Sequence, residues 1–416
     1  MVNNFFIKCD VCNSCVRIRY QVSEEKCLIN FYCPNCNTQI DGSVQTIYHN
    51  GMEAIEPFPW HYDLKLNNAS ETRDDKSDYV LEISPDFLVN KLIKNEDATV
   101  VTPFLRHISL SKNKTANSRY NNFLQSWKDN WNTIKIILDL CHNQKYELLL
   151  SRFSESYEDL PNNINAIINT HQSLIIFCNK ILPKNTLHEY SKMKNRIVKL
   201  MQNNNEEMMS FFEHYNLETI IDCERKILQL VKSFLDNFPK FVPVFNSLTY
   251  KENNDLRLST LTFENIKSFY QDAYELILFL LPQAIGLNNI CNRKKLNNFS
   301  TGEFPFKDKI NSYNSKFKIY EELFNPNDNF SWLINSEIKN HIRNSIGHFN
   351  YKIDDKKQTI IFIDSHKGNK NIIELALVDV AKNCIYMFYT LINLLELNYE
   401  LLKISQISQI APKLQN

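Results

Sequence analysis

The sequence predicts a mainly α-helical protein with a small β module at its N-terminus. Three observations lead there. Apolar residues recur at three- and four-residue steps through much of positions 119–401, the mark of helices with one buried face. Period-two alternation is confined to short runs, the clearest being Val16, Ile18, Tyr20 and Val22 against Arg17, Arg19 and Gln21. Six of the 11 cysteines fall within the first 36 residues, which suits a small module held by metal better than a disulfide framework.

The 416 residues suffice for two or three ordinary domains, and 43% hydrophobic with 23% charged residues fits a globular chain. Forty-seven basic residues balance 47 acidic ones. No overall basic field therefore advertises a polynucleotide, and any such contact must rest on local patches. The six glycines are scattered at positions 42, 51, 286, 302, 347 and 368, so there is no G-x-x-x-x-G-K-[ST] loop and no G-x-G-x-x-G turn. That excludes P-loop hydrolases and Rossmann dehydrogenases. Heavy use of Asn, Ile and Lys is interleaved with apolar periodicity and reads as codon bias from an AT-rich genome. Met1–Asp10 carries no charged-then-apolar signal segment, and the apolar stretches Tyr274–Leu281 and Cys384–Leu395 fall short of the ~20 residues a bilayer crossing needs. The expectation is a cytoplasmic protein with no membrane partner.

Taken in order, positions 1–50 form the β module, with Cys27–Tyr32 expected as the partner of the alternating strand. Positions 51–118 read as a loop-rich or small mixed segment. Pro57 and Pro59 interrupt it, Asn67–Asp78 is polar and acid-biased, and strand-like pieces stand at Tyr79–Ile83 and Thr99–Leu105. Positions 119–245 make a helical middle region, with helices at Arg119–Leu150, Asn162–Ile181, Leu187–Tyr215 and Leu217–Phe238 punctuated by Pro183, Pro239 and Pro243. The last block, 246–410, holds a long helix at Phe263–Gly286, a basic Asn-rich loop and a helix at Ser331–Phe349. A strand pair, Tyr351–Ile353 and Gln358–Asp364, flanks the turn Asp354–Lys357, and a long helix at Asn371–Leu401 closes the block.

Cys9-Asp-Val-Cys12 and Cys33-Pro-Asn-Cys36 are two C-x-x-C turns about 20 residues apart. Each offers two thiolates on one tight loop, and Zn²⁺ takes four soft ligands in a tetrahedron, so a structural zinc is expected. Cys12-Asn-Ser-Cys15 is also a C-x-x-C, which makes Cys15 the alternative ligand. The module resembles a zinc ribbon over positions 5–48. Such ribbons contact nucleic acid or protein, and this one should unfold when metal is removed.

A second feature lies at Glu337-Ile-Lys-Asn-His341-Ile-Arg343-Asn344-Ser-Ile-Gly-His348. On one helix Glu337, His341, Asn344 and His348, at steps of four, three and four, would line a polar stripe, with Ile338, Ile342, Ile346 and Phe349 on a different, apolar side. Arg343 would lie roughly 140° round from His348. The run Arg343-Asn344-x-x-x-His348 resembles the R-N-x-x-x-H signature of the HEPN superfamily, and the resemblance covers Ser331–Leu401 and extends back to Phe263. The resemblance implies a C-terminal all-α bundle that dimerises and, in many members, a metal-independent ribonuclease of toxin, abortive-infection or antiphage defence systems. Carried over, it implies Arg343 and His348 as catalytic residues with Asn344 as their polar neighbour, His341 and Glu337 in support, and Glu275 as an acidic residue on an earlier helix.

The chemistry suits those residue types. RNA brings its own nucleophile, the 2′-hydroxyl, so the protein need only move protons and stabilise charge. Imidazole titrates near neutrality and serves as base or acid, while guanidinium stays charged and matches phosphate oxygens. Between Cys291 and Tyr320, seven basic residues (Arg293, Lys294, Lys295, Lys307, Lys309, Lys316 and Lys318) face only Glu303 and Asp308. With Tyr313, Phe317 and Tyr320 among them, they are the expected RNA-binding patch, led by Arg293, Lys294 and Lys295. His188-Glu189 begins an H-E-x-x-H pattern that Lys192 breaks, and no G-x-S-x-G elbow exists. The expected activity is an endoribonuclease acting as a homodimer, governed by an antitoxin or a phage-derived trigger. The alternatives are a non-catalytic scaffold built on the same helices and a zinc-ribbon regulator of transcription or translation.

Overall fold

The computed structural model describes residues 2–22, 26–48, 60–98, 101–111, 116–153, 160–250, 256–313, 316–324, 330–366 and 369–410. Pro57 and Pro59 lie outside them, as do the side chains of Lys316, Phe317 and Lys318. The first hundred residues hold β1 (Val2–Cys9), β2 (Cys15–Gln21), β3 (Cys27–Tyr32), β4 (Gln39–Tyr48), β5 (Trp60–Asn67), β6 (Ala69–Thr72), β7 (Tyr79–Ile83) and β8 (Ile93–Lys94). Helices follow: α1 (Pro103–Leu110), α2 (Ala116–His142), α3 (Tyr146–Leu150), α4 (Asn162–Cys178), α5 (Thr186–Asn203), α6 (Asn205–His214), α7 (Leu217–Asp236) and α8 (Phe238–Ser247). The remainder comprises α9 (Phe263–Arg293), β9 (Asn298–Phe299), β10 (Gly302–Glu303), α10 (Phe306–Ser312), α11 (Asn340–Gly347), β11 (Tyr351–Asp354), β12 (Thr359–His366), β13 (Asn369–Ala376) and α12 (Leu377–Ile410). Helix dominates, as the periodicity predicts.

The chain divides into two compact units, each of three segments: Met1–Leu124, Asn237–Ser268 and Asn344–Cys384 in one, Gln125–Asp236, Phe269–Arg343 and Ile385–Asn416 in the other. Each unit draws on more than one of the four contiguous blocks read from the sequence.

In the first unit, period-two alternation builds two sheets around one core. The larger has the order β6-β1-β2-β7-β8, with β2 and β7 parallel, and the smaller the order β3-β4-β5. Phe5 and Ile7 of β1, Val16, Ile18 and Tyr20 of β2, Ile29 and Phe31 of β3, Ile40 and Val44 of β4, and Leu81 and Ile83 of β7 share the buried cluster. Tyr20 and Thr46 join the sheets through their hydroxyls at 2.9 Å. Only glycine fits at Gly42, because a Cβ there would lie 2.0 Å from the Lys65 carbonyl of the adjoining strand.

Three expectations are corrected here. Cys27–Tyr32 pairs with β4, not with the strand of Arg17 and Arg19, which lies between β1 and β7. The cause is β1: Phe5, Ile7 and Cys9 point into the core, alternating with the less buried Phe6 and Lys8, and fill the place. The segment read as loop-rich or small mixed supplies β5 to β8, β7 coinciding with the expected piece Tyr79–Ile83, so the module is larger than a ribbon of 50 residues. Even the polar run Asn67–Asp78 contains β6, a four-residue edge strand. Of the expected strand Thr99–Leu105, the first two positions lie outside the described residues and Val101–Leu105 yields no strand; Thr102 accepts a hydrogen bond from the Leu105 N–H at 3.3 Å and Pro103 opens α1, a cap and proline that start a helix.

The same unit holds the sheet β11-β12-β13. Its third strand covers residues expected in the last helix, because Ile373 and Leu375 pair with Phe362 and Ile360, whose side chains are buried. Phe263 packs edge-on against Tyr351 and Phe362, with ring centroids 5.1 and 5.9 Å away.

The second unit is a helical bundle. The expected helix Leu187–Tyr215 divides at Asn204 into α5 and α6, and Phe263–Gly286 continues through Pro282 to Arg293. Phe234 stacks on Phe388 with centroids 4.4 Å apart and packs on Phe269. Helix α9 is the one helix among the described residues long and apolar enough to cross a membrane, and 78% of its apolar window is buried in the fold. The stretch Tyr274–Leu281 alone misses that length.

Candidate metal centre and candidate active site

Two near-identical turns form the cysteine site. In the first, the Asn13 N–H donates to the Cys9 carbonyl at 2.9 Å and the Cys9 N–H to the Ser14 carbonyl at 2.9 Å. In the second, the Asn37 N–H donates to the Cys33 carbonyl at 2.9 Å and the Cys33 N–H to the Thr38 carbonyl at 2.8 Å. Asn13 and Asn37 hold φ of 62° and 61°, the left-handed region that Asn tolerates better than other non-glycine residues. The motif is thus C-x-x-C-N-[ST] repeated, a signal present in the sequence beyond the bare cysteine spacing.

These turns bring Cys9, Cys12, Cys33 and Cys36 within 4.8 Å of one another. Cys9 and Cys36 Sγ are 3.6 Å apart, and Cys12 and Cys33 Sγ 3.4 Å. A tetrahedral Zn–S₄ centre with bonds of about 2.3 Å needs sulfurs about 3.8 Å apart, so four soft donors stand close to the required geometry. Ser14 Oγ lies 3.1 Å from Cys12 Sγ, and hydrogen bonding there lowers that thiol to about 6; burial pushes Cys9 up to about 11. Cys15, the alternative ligand, stands outside the group, with its Sγ 3.6 Å from the Asp74 carbonyl.

The motif helix is shorter than expected. Ser331–Leu333 makes a 3₁₀ turn, and α11 begins only at Asn340. The Asn335 side chain accepts the Glu337 N–H at 2.8 Å, a local turn that holds these residues out of a helix. Glu337 consequently pairs with Lys339 at 3.6 Å, and of the expected four-residue stripe only His341 and Asn344 stand on α11, with His348 capping it.

At the other end the helix closes in a Schellman pattern. The Asn350 N–H donates to the Ser345 carbonyl at 2.8 Å and the Phe349 N–H to the Ile346 carbonyl at 3.2 Å. His348 is the C-cap and is exposed. The left-handed position after it is taken by Phe349, with φ of 55° and 81% exposure, and not by Gly347.

Within the second unit, Arg343 forms an ion pair with Glu275 of α9, both half-exposed. Tyr274, the neighbour of Glu275, donates to Asn340 Oδ1 at 2.9 Å, and Tyr270 donates to the Lys339 carbonyl at 3.1 Å. Within the first unit, Asn344 Nδ2 donates to Asp364 of β12 at 3.4 Å. Ile342 and Ile346 of α11 are buried, as the apolar periodicity requires, and so is Ile338 before it; Phe349, expected on the same side, is 81% exposed because the helix ends before it.

The basic patch separates into two kinds of residue. Arg293 is engaged inside the fold with Glu322, 3.3 Å away, and that carboxylate also accepts from Tyr313 at 2.7 Å and Ser300 at 2.7 Å. Lys294 and Lys295 are exposed, Lys295 pairing with Glu303 at 3.2 Å. One group escaped sequence reasoning altogether. His171 lies in the bundle between Glu224 at 3.4 Å and Glu396 at 2.8 Å, stacked on Tyr399 with centroids 3.9 Å apart. Its partners are 53 and 225 positions away, so no local pattern announces it. Comparison of the chain with family models, with curated proteins and with solved structures gave no match, so no relative assigns it a family or an activity.

Proposed function

We propose that the chain is a metal-independent endoribonuclease of HEPN type, with a structural zinc in its N-terminal module. The observation that carries this reading is α11 itself: Arg343 and Asn344 stand on it, and His348 ends it with its imidazole open to solvent. The R-N-x-x-x-H resemblance assigns those three positions their roles. In the proposed reaction an imidazole takes the proton of the RNA 2′-hydroxyl, whose oxygen attacks phosphorus, while the 5′-oxygen leaves with a proton. Guanidinium stabilises the charge that builds on the phosphoryl oxygens. Two copies of the chain would supply one His348 as base and the other as acid. A cytoplasmic toxin or antiphage effector, held by an antitoxin or released by a phage-derived trigger, is the setting the resemblance suggests.

The zinc assignment rests on the four clustered thiols. The metal would hold both turns together, and the chemistry it supplies there is structural.

One observation favours a second reading. The Arg343–Glu275 pair ties the guanidinium to a neighbouring helix, as a scaffold built on these helices would.

The ends of the RNA products decide between the two. The ribonuclease predicts 2′,3′-cyclic phosphate and 5′-hydroxyl ends, formed by purified protein with a chelator of divalent ions present. Intact RNA, or 5′-phosphate ends that require added metal, would overturn it.

A further inference from the structure

Helices α6, α7, α9 and α10 border a pocket of about 540 Å³ in the second unit, apart from the thiol cluster and from α11. Its walls include the rings of Tyr215, Phe279, Phe306 and Tyr313, with Phe279 54% exposed. The single lysine, Lys307, and the single carboxylate, Glu213, oppose each other in charge. An occupant carrying a large net charge gains nothing here.

A buried amide distinguishes this cavity from a grease-filled gap. Gln283 lines it and is only 3% exposed. Its Nε2 donates to Cys223 Sγ at 3.5 Å, a weak acceptor, and among the described residues no other group meets this amide. Beside it, Pro282 has no N–H, so the Leu278 carbonyl one turn earlier loses its usual intrahelical donor. Leu278 and Pro282 both line the same wall. The amide oxygen, its second N–H and the Leu278 carbonyl together offer a mixed donor–acceptor edge that a complementary occupant can match.

We infer that this cavity binds a neutral planar heteroaromatic ring of nucleobase type, stacked on the aromatic walls and read at one edge by Gln283. The volume falls within the range of small-molecule sites, about 300–1,000 Å³. A hydrocarbon chain would fill it but would leave the amide unpaired. The inference does not depend on the ribonuclease reading.

Full-length protein should be titrated with adenosine, guanosine, cytidine and uridine, followed by saturation-transfer NMR and calorimetry. At least one nucleoside should bind saturably, with transfer strongest at its ring protons. Gln283→Leu should weaken that binding about tenfold, equivalent to about 1.4 kcal/mol. Phe279→Ala, at a site 54% exposed and thus tolerant of truncation, should weaken it severalfold and stands in should Gln283→Leu fail to fold. Displacement of the nucleoside by a short single-stranded oligoribonucleotide would identify the ring as a base of a strand, and failure to displace it a free nucleoside; either result keeps the site. Absence of saturable binding by all four, or binding of decanoate as tight as that of the best nucleoside, overturns the inference. So does nucleoside binding that both folded variants leave unchanged.

Discussion

Glu275 of α9 and Arg343 of α11 form an ion pair within the helical unit, both side chains partly open to solvent. A pair in that setting contributes roughly 0–1 kcal/mol to stability. Holding a guanidinium in one orientation, which substrate phosphate would then compete for, is the larger consequence. Arg343→Ala and His348→Ala should each lower RNA cleavage about 10²-fold or more, the size expected for losing a group that moves protons or charge. Glu275→Gln should shift the unfolding midpoint by no more than a few degrees and tighten RNA binding, because phosphate no longer competes with a carboxylate for Arg343. If both alanine variants fold and cut like the parent, the ribonuclease assignment is wrong.

Metal content tests the paired turns. Purified protein should carry about one zinc per chain, and Cys33→Ser should lose it and with it the core shared by the two sheets. Cys15→Ser should keep the metal, because Cys15 faces the Asp74 carbonyl outside the four-thiol group. Elemental analysis with near-ultraviolet dichroism reads both outcomes, and metal-free protein with native dichroism would refute the assignment.

How much of this was legible beforehand follows from the range of the interactions. The C-x-x-C spacing is local, and it selected the four thiols that converge while leaving Cys15 as the alternative. Helical periodicity is also local, and it located most helices and the buried Ile342 and Ile346. Strand pairing is not: Val16, Ile18 and Tyr20 declared a strand but could not say that Tyr79–Ile83 would lie parallel to it. Asn371 to Ala376 looked helical because its apolar residues adjoin a long helix, and only their partners on β12 make them a strand. The short motif helix was misread for a smaller reason, since one Asn335 side chain diverts the chain before Asn340.

The basic patch gives a separable pair of outcomes. Arg293→Ala should lower stability, because Glu322, almost fully buried, would lose a partner within 3.3 Å. Lys294→Glu with Lys295→Glu should leave thermal unfolding unchanged and weaken RNA binding, with a shallower salt dependence. Equal RNA affinity in parent and double variant, measured by fluorescence anisotropy at several salt concentrations, would remove the patch from the binding surface.

Phe349 occupies the left-handed position that closes α11, where glycine carries no Cβ penalty. With the ring 81% exposed, little packing offsets that strain. Phe349→Gly should therefore stabilise the fold by up to about 1 kcal/mol. A drop in the unfolding midpoint would show that the ring makes contacts worth more than its backbone cost.

His171 sets a pH dependence whose sign can be worked out. Burial alone would push this imidazole down, but the carboxylates of Glu224 and Glu396, the second hydrogen-bonded to Nε2 at 2.8 Å, outweigh it and hold the group up at about 9. A folded value above the ordinary one of about 6.5 means that the charged imidazole stabilises the native state. That contribution is complete below about pH 6.5 and is lost as pH rises through about 9. The bundle should thus lose stability between those limits, by something of the order of 3 kcal/mol. His171→Gln should flatten this slope while lowering stability at neutral pH, since Glu224 and Glu396 would keep their buried carboxylates without a cation between them. Denaturant unfolding of both proteins at pH 6, 7.5 and 9 measures it, and parallel curves would mean that His171 stays neutral in the native bundle.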